Sequence, residues 1–332
     1  MQQNRWRVAA MAVLITTAVS GAGCSSKVPA ADGGSKGDKD EFVVGYSQSN
    51  NAEPYRAQLN LQLKYFMKQH KNLKLLPIAD AKQASATQVS QVQQFIQQRV
   101  DALIVSPTEP APLTAAVKQV CQAKIPVIIL DRSVNTDCYT SFIGGDNYEI
   151  GKKAGEAAVK ELPNGGNVVE LRGLLSNQPQ IDRDKGFRDA IAASPQVKII
   201  ADREAKWLKE SATPIMQQWL AKNPKIDVVY GHNDPMALGA YLAAKAQKRD
   251  TQMKFIGIDG LAIPDGGIRA VQQGQLLTTF VYPTGAKEAA ETVFALSQGK
   301  QVQKKQTLHT TQVTKENAAQ LYQQYDMAGK AD

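Results

Sequence analysis

Pro126-Val127-Ile128-Ile129-Leu130-Asp131-Arg132-Ser133 is an apolar run cut off by a carboxylate and a guanidinium. The run has no polar alternation, as a strand covered on both faces requires. "ALIVS" at 102–106 reads the same way. Between and around these strands lie segments of helical period. Tyr55, Leu59, Leu63, Phe66 and Met67 fall at helical spacing after Pro54, a residue suited to a first turn. Val89, Val92, Phe95 and Ile96 share one helical face.

The alternation continues along the chain. Strand-like "FVVGYSQ", "NLKLLPIAD", "DALIVSP", "PVIILD" and "TSFIGG" are separated by helical segments as far as Asp146. The theme then restarts with the helix "NYEIGKKAGEAAVKEL". "NVVELRG", "VKIIAD", "DVVYGHND", "MKFIGIDG" and "LLTTFVY" follow as strands, with helices between them and a closing helix "PTGAKEAAETVFALSQG". Strands alternating with helices argue for βαβ units and parallel sheets. About ten strands exceed one comfortable sheet. The expected fold is therefore α/β, with two doubly wound, Rossmann-like lobes.

Ligands of such sheets bind outside the carboxyl ends of the strands. Several of those ends are polar: Ser47-Gln48, Ser106, Asp131-Arg132, Asn233-Asp234 and Asp259. They come from both halves, so facing lobes would bring them to one cleft. Asp234-Pro235 reads as an N-cap and first helical residue, which leaves Asn233 as the strand-end group aimed at that cleft.

The chain has 332 residues, 43% apolar and 21% charged, enough for two packed domains. The N-terminus is distinct: Arg5 and Arg7, an apolar run from Val8 to Val19, then small residues up to Cys24. This is the pattern of an export signal, and the run is short for a membrane span. Residues 1–23 are expected to be the signal. Gly21-Ala22-Gly23-Cys24 resembles a lipoprotein cleavage site, although the usual Leu three positions before the Cys is missing. Residues 24–40 form a polar, Gly-rich tether, and a diacylated Cys24 would anchor stably.

The formal charge is +8; removing the segment before Cys24 takes away Arg5 and Arg7 and leaves +6. The basic residues are scattered among acidic ones, so nothing points to nucleic acid. With Cys24 lipidated, Cys121 and Cys138 remain as an even pair in an oxidising compartment, and a disulfide is expected.

Signals for catalysis are weak. No GxGxxG follows a strand, and neither GxxxxGK[ST] nor GxSxG occurs, so no nucleotide cofactor or nucleophile elbow is indicated. His70, His232 and His309 lack ligand spacing to one another, which argues against zinc. Asp131 and Asp259 could serve as an acid and base pair, but Arg132 beside Asp131 lowers that carboxyl's pKa and suits it to accepting.

"IPVIILDRS", "IGGDNYEIGKKAG", "NVVELRG", "IDRDKGF", "YGHNDPMALGA" and "IGIDG" occur in the order and at the approximate spacing of a known family. From about Phe42 to about Val313 the chain resembles type I periplasmic sugar-binding proteins of ABC importers, the ribose-binding type. "VGYSQSNNAEPYRA" with "NVVELRG…IDRDKGF" looks most like the galactofuranose-binding branch. The resemblance implies a monosaccharide held between two lobes joined by three crossovers, near Gly145-Asp146, Tyr282-Pro283 and His309-Thr310. The lobes would be 41–145 plus 283–309, and 146–282 plus 310–332.

The resemblance also implies site residues. Tyr55 and Arg56 match a "WR" pair, with Tyr in place of Trp. Asp131 and Arg132 match an Asp-Arg pair, Arg183 a second-lobe Arg, and Asn233 and Asp259 an Asn and Asp at strand ends. Gln48 and Ser106 occupy pocket-lining positions. Tyr282 stands where relatives often carry Gln or Glu, which opens the question of which sugar.

The implied protein is a monomer without catalysis or cofactor, anchored outside the cytoplasmic membrane or periplasmic, with an ABC permease as partner. Four alternatives remain. A furanosyl quorum signal could replace the sugar, and a sensor kinase or chemoreceptor could replace the permease. A secreted glycosidase would show turnover that depends on Asp131 and Asp259. A DNA-binding repressor built on the same core would need a helix-turn-helix where the export signal stands.

Overall fold

The structure, a computed structural model, describes residues 41–330. The expected signal, the tether and Cys24 lie outside the described residues. In chain order the elements are β1 (Phe42–Gln48), α1 (Pro54–Lys68), β2 (Leu73–Leu75), β3 (Ala79–Asp80), α2 (Ser85–Gln97), β4 (Ala102–Ser106), α3 (Pro110–Gln122), β5 (Val127–Leu130) and β6 (Ser141–Gly145). Then come α4 (Asn147–Glu161), β7 (Gly166–Arg172), α5 (Gln178–Ala192), β8 (Val197–Glu204), α6 (Lys209–Lys222), β9 (Val228–Gly231), α7 (Asp234–Ala246) and β10 (Lys254–Ile256). The last are α8 (Gly267–Gln272), β11 (Thr279–Phe280), α9 (Ala286–Ser297), β12 (Lys305–Leu308), β13 (Gln312–Val313) and α10 (Ala318–Tyr325).

The first sheet runs β12-β6-β5-β4-β1-β2, with β3 also paired to β1, and every pairing is parallel. The second runs β10-β9-β7-β8, again parallel. Bridges Ile256–Thr278 and Asp259–Val281 extend it toward β11, which pairs antiparallel with β13. Strand order reverses between β1 and β4 in one sheet and between β7 and β9 in the other. Such reversal points open a crevice at the carboxyl ends.

The apolar runs behave as a doubly covered sheet demands. Leu103 and Val105 of β4 and Ile129 of β5 pack with Val92, Phe95, Leu113 and Val117 of α2 and α3. The alternate residues, Ile104, Ile128 and Leu130, pack on the other side with Leu59 and Leu63 of α1 and Ala289 and Val293 of α9. In the second sheet Val169 and Leu171 face α6 and α7, whereas Val168 faces α4 and α5.

Some expected elements differ. "LLTTFVY" contributes only the two-residue β11, because its neighbour β13 is equally short. The short segments β12 and α10 were not anticipated, although α10 buries Ala318 and Leu321 on one face. The N-cap of α7 is Asn233, whose Oδ1 accepts from Met236 N at 3.0 Å. Asp234 is instead the first helical residue, so the helix begins one position earlier than expected.

Cys121, in the last turn of α3, is bridged to Cys138 in the loop after β5. The bridge spans 17 positions and fastens the loop that begins with Asp131 and Arg132. No helix among the described residues is long and apolar enough to cross a membrane.

Opening this bridge should lower stability by about 3 kcal/mol, the chain-entropy value for a short loop. Denaturant unfolding of the protein with and without reductant, and of a C121A/C138A variant, measures it. Two titratable thiols in the unfolded, unreduced protein would show that the bridge does not form.

Candidate functional site

At the carboxyl ends of the strands lies a cavity of about 280 Å3. Glu53, Tyr55, Arg56, Asp131 and Arg132 line it from the first sheet's side. Pro179, Arg183, Trp207, Asn233, Asp259 and Tyr282 line it from the other. Eight of the ten residues singled out from sequence are among these.

Gln48 and Ser106 are the two that are not. Both are buried behind the cavity and bonded to the Tyr46 hydroxyl: Ser106 Oγ lies 3.1 Å from it, and Gln48 Nε2 donates to it. Tyr46 is itself core, so its hydroxyl draws these two strand-end groups inward.

Asp131 follows β5 with φ 71°, a left-handed conformation that costs a non-glycine residue energy and marks constrained sites. Its amide donates to Ile143 O at 2.8 Å. Tyr282 Oη donates to Oδ1 at 2.7 Å. Arg56 Nη2 stands 2.6 Å from Oδ2, and Arg132 Nε 3.8 Å from it. Burial pushes the Asp131 carboxyl up, but Arg56 and Arg132 outweigh burial and hold it below the usual carboxylate range. Arg132 Nη2 also lies 3.5 Å from Glu53 Oε1. Four charges of balanced sign thus occupy one nearly dry corner, each residue no more than 5% exposed.

Arg183 is placed by helix packing. A Cβ at Gly151 of α4 would lie 2.2 Å from the Arg183 carbonyl oxygen, and one at Gly186 of α5 would lie 2.2 Å from Tyr148 O. Glycine at both positions lets the two helices close on each other. Arg183 Nε then donates to Asn147 Oδ1 at 2.8 Å, and Nη1 to His232 O at 2.5 Å. Its guanidinium lies 4.5 Å from the Tyr282 ring centroid and 5.5 Å from that of Trp207, within cation–π range.

Trp207 was not foreseen. It follows β8 in a polar stretch and holds φ 70°. Gly173 leaves the space its ring fills, since a Cβ there would come within 2.1 Å of that ring. Its indole N–H donates to Asn177 Oδ1 at 3.2 Å, and Asn177 Nδ2 donates to Thr108 O at 3.0 Å. That chain joins the loop after β4 to the loop before α5. Arg132 crosses to Trp207 as well, 5.9 Å from its ring. Glu53 was also missed: it precedes Pro54 and does not cap α1.

Asp259 follows β10 with φ 125°. Its amide donates to Phe280 O at 3.0 Å, and its carbonyl accepts from Tyr282 N at 2.9 Å. The residue is 4% exposed, and Oδ2 has no hydrogen-bond partner. Across the cavity, Arg56 Nε and Nη1 are equally buried without one. Asp234 acts as a brace: its carboxylate accepts from Gly260 N at 2.8 Å and Thr279 Oγ1 at 2.6 Å, fixing the turn that carries Asp259. Burial pushes Asp234 up to about 7. Burial, and next the Asp234 charge, push Asp259 well above the usual carboxylate range.

The arrangement offers charged and amide groups around a small cavity, with rings beside them: Tyr55 and Tyr282 lie 5.3 Å apart, centroid to centroid. No group of three or more metal-ligating side chains occurs among the described residues. Fold and cavity together define a binding protein of the type I periplasmic class. Residues 44–301 match the periplasmic binding protein domain, and the chain belongs to that family.

The chain is 30% identical to the ribose import binding protein RbsB of Bacillus subtilis over 289 residues, 85% of this chain and 90% of that protein. It is 34% identical to the galactofuranose-binding protein YtfQ of Escherichia coli over 242 residues, 70% and 72% of the two chains. Among solved structures, it superposes on the fructose binding periplasmic domain of a hybrid two component system with a TM-score of 0.82 and 35% identity, covering 86% of this chain and 94% of that one.

The raised carboxyls carry a pH signature. A folded-state pKa above the unfolded one favours the protonated native form, so stability falls as pH rises through the folded value. For the Asp234–Asp259 pair that window runs from the usual carboxylate range to about 7 and above. Asp259→Asn cannot ionise and should lose less thermal stability between pH 5 and pH 8 than the wild type, both without ligand. Equal losses in the two proteins would show that Asp259 is not strained by its charge.

Proposed function

We propose that this chain is the extracytoplasmic substrate-binding lipoprotein of an ABC-type sugar importer. Its cavity takes a monosaccharide, galactofuranose- or galactose-like or ribose-like, and its two lobes close on it. The unpartnered buried atoms carry this reading: Asp259 Oδ2 accepts, Arg56 Nε and Nη1 donate, and all three border one small cavity. A sugar hydroxyl both donates and accepts, so a polyol satisfies such groups in place of water. The Tyr55 and Trp207 rings are suited to cover its C–H faces. The names of the ribose- and galactofuranose-binding relatives support the same ligand class.

The lobes are 41–145 plus 283–309, and 146–282 plus 310–332. Sheet membership supports these bounds, since the chain leaves the first sheet after β6, returns for β12 and leaves again for β13. Closure is a hinge motion of the three crossing segments. The role is capture and hand-over to a permease, not turnover. Cys24 is the lipid attachment point that keeps a monomer at the membrane's outer face or in the periplasm. One observation favours a second reading, delivery to a membrane sensor: the similar solved structure that belongs to a hybrid two component system.

A calorimetric screen of pentoses and hexoses, furanose forms included, is the direct test. The bound sugar should stabilise the fold by about 2.7 kcal/mol at a hundred times its Kd. Asp131→Ala and Arg56→Ala should each weaken binding by about a hundredfold, because each leaves a buried charge unmatched. Heat and thermal shift absent for every sugar would overturn the proposal.

A further inference from the structure

A second chamber adjoins the first. It spans about 840 Å3, is open to solvent on one side, and shares two lining residues with the inner cavity, Asp131 and Pro179. The inner cavity, at about 280 Å3, is a third of that size. A ligand of two rings cannot fit in the inner space alone.

The outer walls have two characters. Phe142 and Tyr139 offer aromatic surface, their ring centroids 6.4 Å apart. Opposite chemistry comes from Asp182, Gln178 and Lys305. Gln178 Nε2 donates to Asp182 Oδ1 at 2.7 Å, so this pair is already fixed in direction. Burial raises the Asp182 pKa, against the lowering effect of the Gln178 hydrogen bond. The walls are drawn from β6, β12 and the loop after β5 on the first sheet, and from the starts of α4 and α5. Aromatic surface and hydrogen-bonding groups lining one space match a sugar ring, apolar on its C–H faces and polar at its rim.

We propose that the outer chamber is a second subsite, which takes a ring glycosidically linked to the sugar held inside. The protein then accepts short glycosides, disaccharides above all, in addition to free monosaccharides. This rests on the monosaccharide reading of the inner cavity. Asp131 and Pro179, which line both spaces, mark the junction.

Calorimetry on the full chain compares each monosaccharide that binds with its methyl glycoside and with disaccharides that carry it at the non-reducing end. At least one disaccharide should bind about tenfold more tightly than its monosaccharide, the gain expected of one or two added hydrogen bonds. Asp182→Ala and Lys305→Ala should remove that gain and leave monosaccharide affinity within about twofold, too small a change to reflect a lost hydrogen bond. Monosaccharides that bind while every glycoside is rejected would overturn the subsite and leave the inner site standing. Variants that weaken both ligands equally would also overturn it. If no sugar of either kind binds, both readings fall.

Discussion

The whole site depends on the neutralisation of Asp131. A carboxylate at the end of a doubly covered strand is far from bulk water, and an unpaired charge there is very costly. Arg56 and Arg132 offset it, and Glu53 in turn balances the second guanidinium. These residues come from the start of α1 and the end of β5, which β4 separates within the sheet. The charge balance therefore holds only when the β1–α1 turn reaches across β4. The disulfide from α3 and the left-handed backbone at Asp131 both act on that same corner.

The second half answers the same demand differently. Arg183 is held by neutral acceptors, the Asn147 amide oxygen and the His232 carbonyl. Asp259 has no paired cation at all. Its neighbour Asp234 is saturated by Thr279 and Gly260 and adds a like charge. One aspartate is thus kept ionised by its neighbours, and the other is pushed toward its protonated form by burial. The cavity presents a carboxylate held by two cations on one side and a carboxyl with an unpartnered oxygen on the other.

How much of this was legible depended on the kind of signal each residue carries. "VIILDRS" and "ALIVS" announced the sheet, because a strand buried on both faces is unmistakable against polar helices. The polar strand-end rule then placed Asp131, Arg132, Asn233 and Asp259 at the right level. Level does not give direction, which is why Gln48 and Ser106 turned inward to the Tyr46 hydroxyl. Trp207 escaped because nothing in "AKWLKE" has a period; its place is set by a left-handed backbone and by the space above Gly173. Glu53 stands at the start of α1, and nothing in its position before Pro54 marks its side chain as a counter-ion. Position 233 caps α7 and borders the cavity together, two roles that sequence had divided between neighbours.

The two strand-end aspartates share one more property that bears on selectivity. Both have positive φ, a conformation costing about 1–3 kcal/mol each for such residues. Both are held there by backbone bonds to an adjacent segment, Asp131 to Ile143 and Asp259 to Phe280 and Tyr282. The carboxylates are consequently aimed by the sheet itself, not by whatever fills the cavity. A site aimed in advance loses little freedom on binding. By the same rigidity it cannot swing to follow a hydroxyl on the opposite face of a ring, and an epimer leaves a buried group without a partner at a cost of about 1–3 kcal/mol. Strain stored in the backbone is thereby converted into discrimination, and the stability needed to hold it comes from the apolar strands that end in those same aspartates.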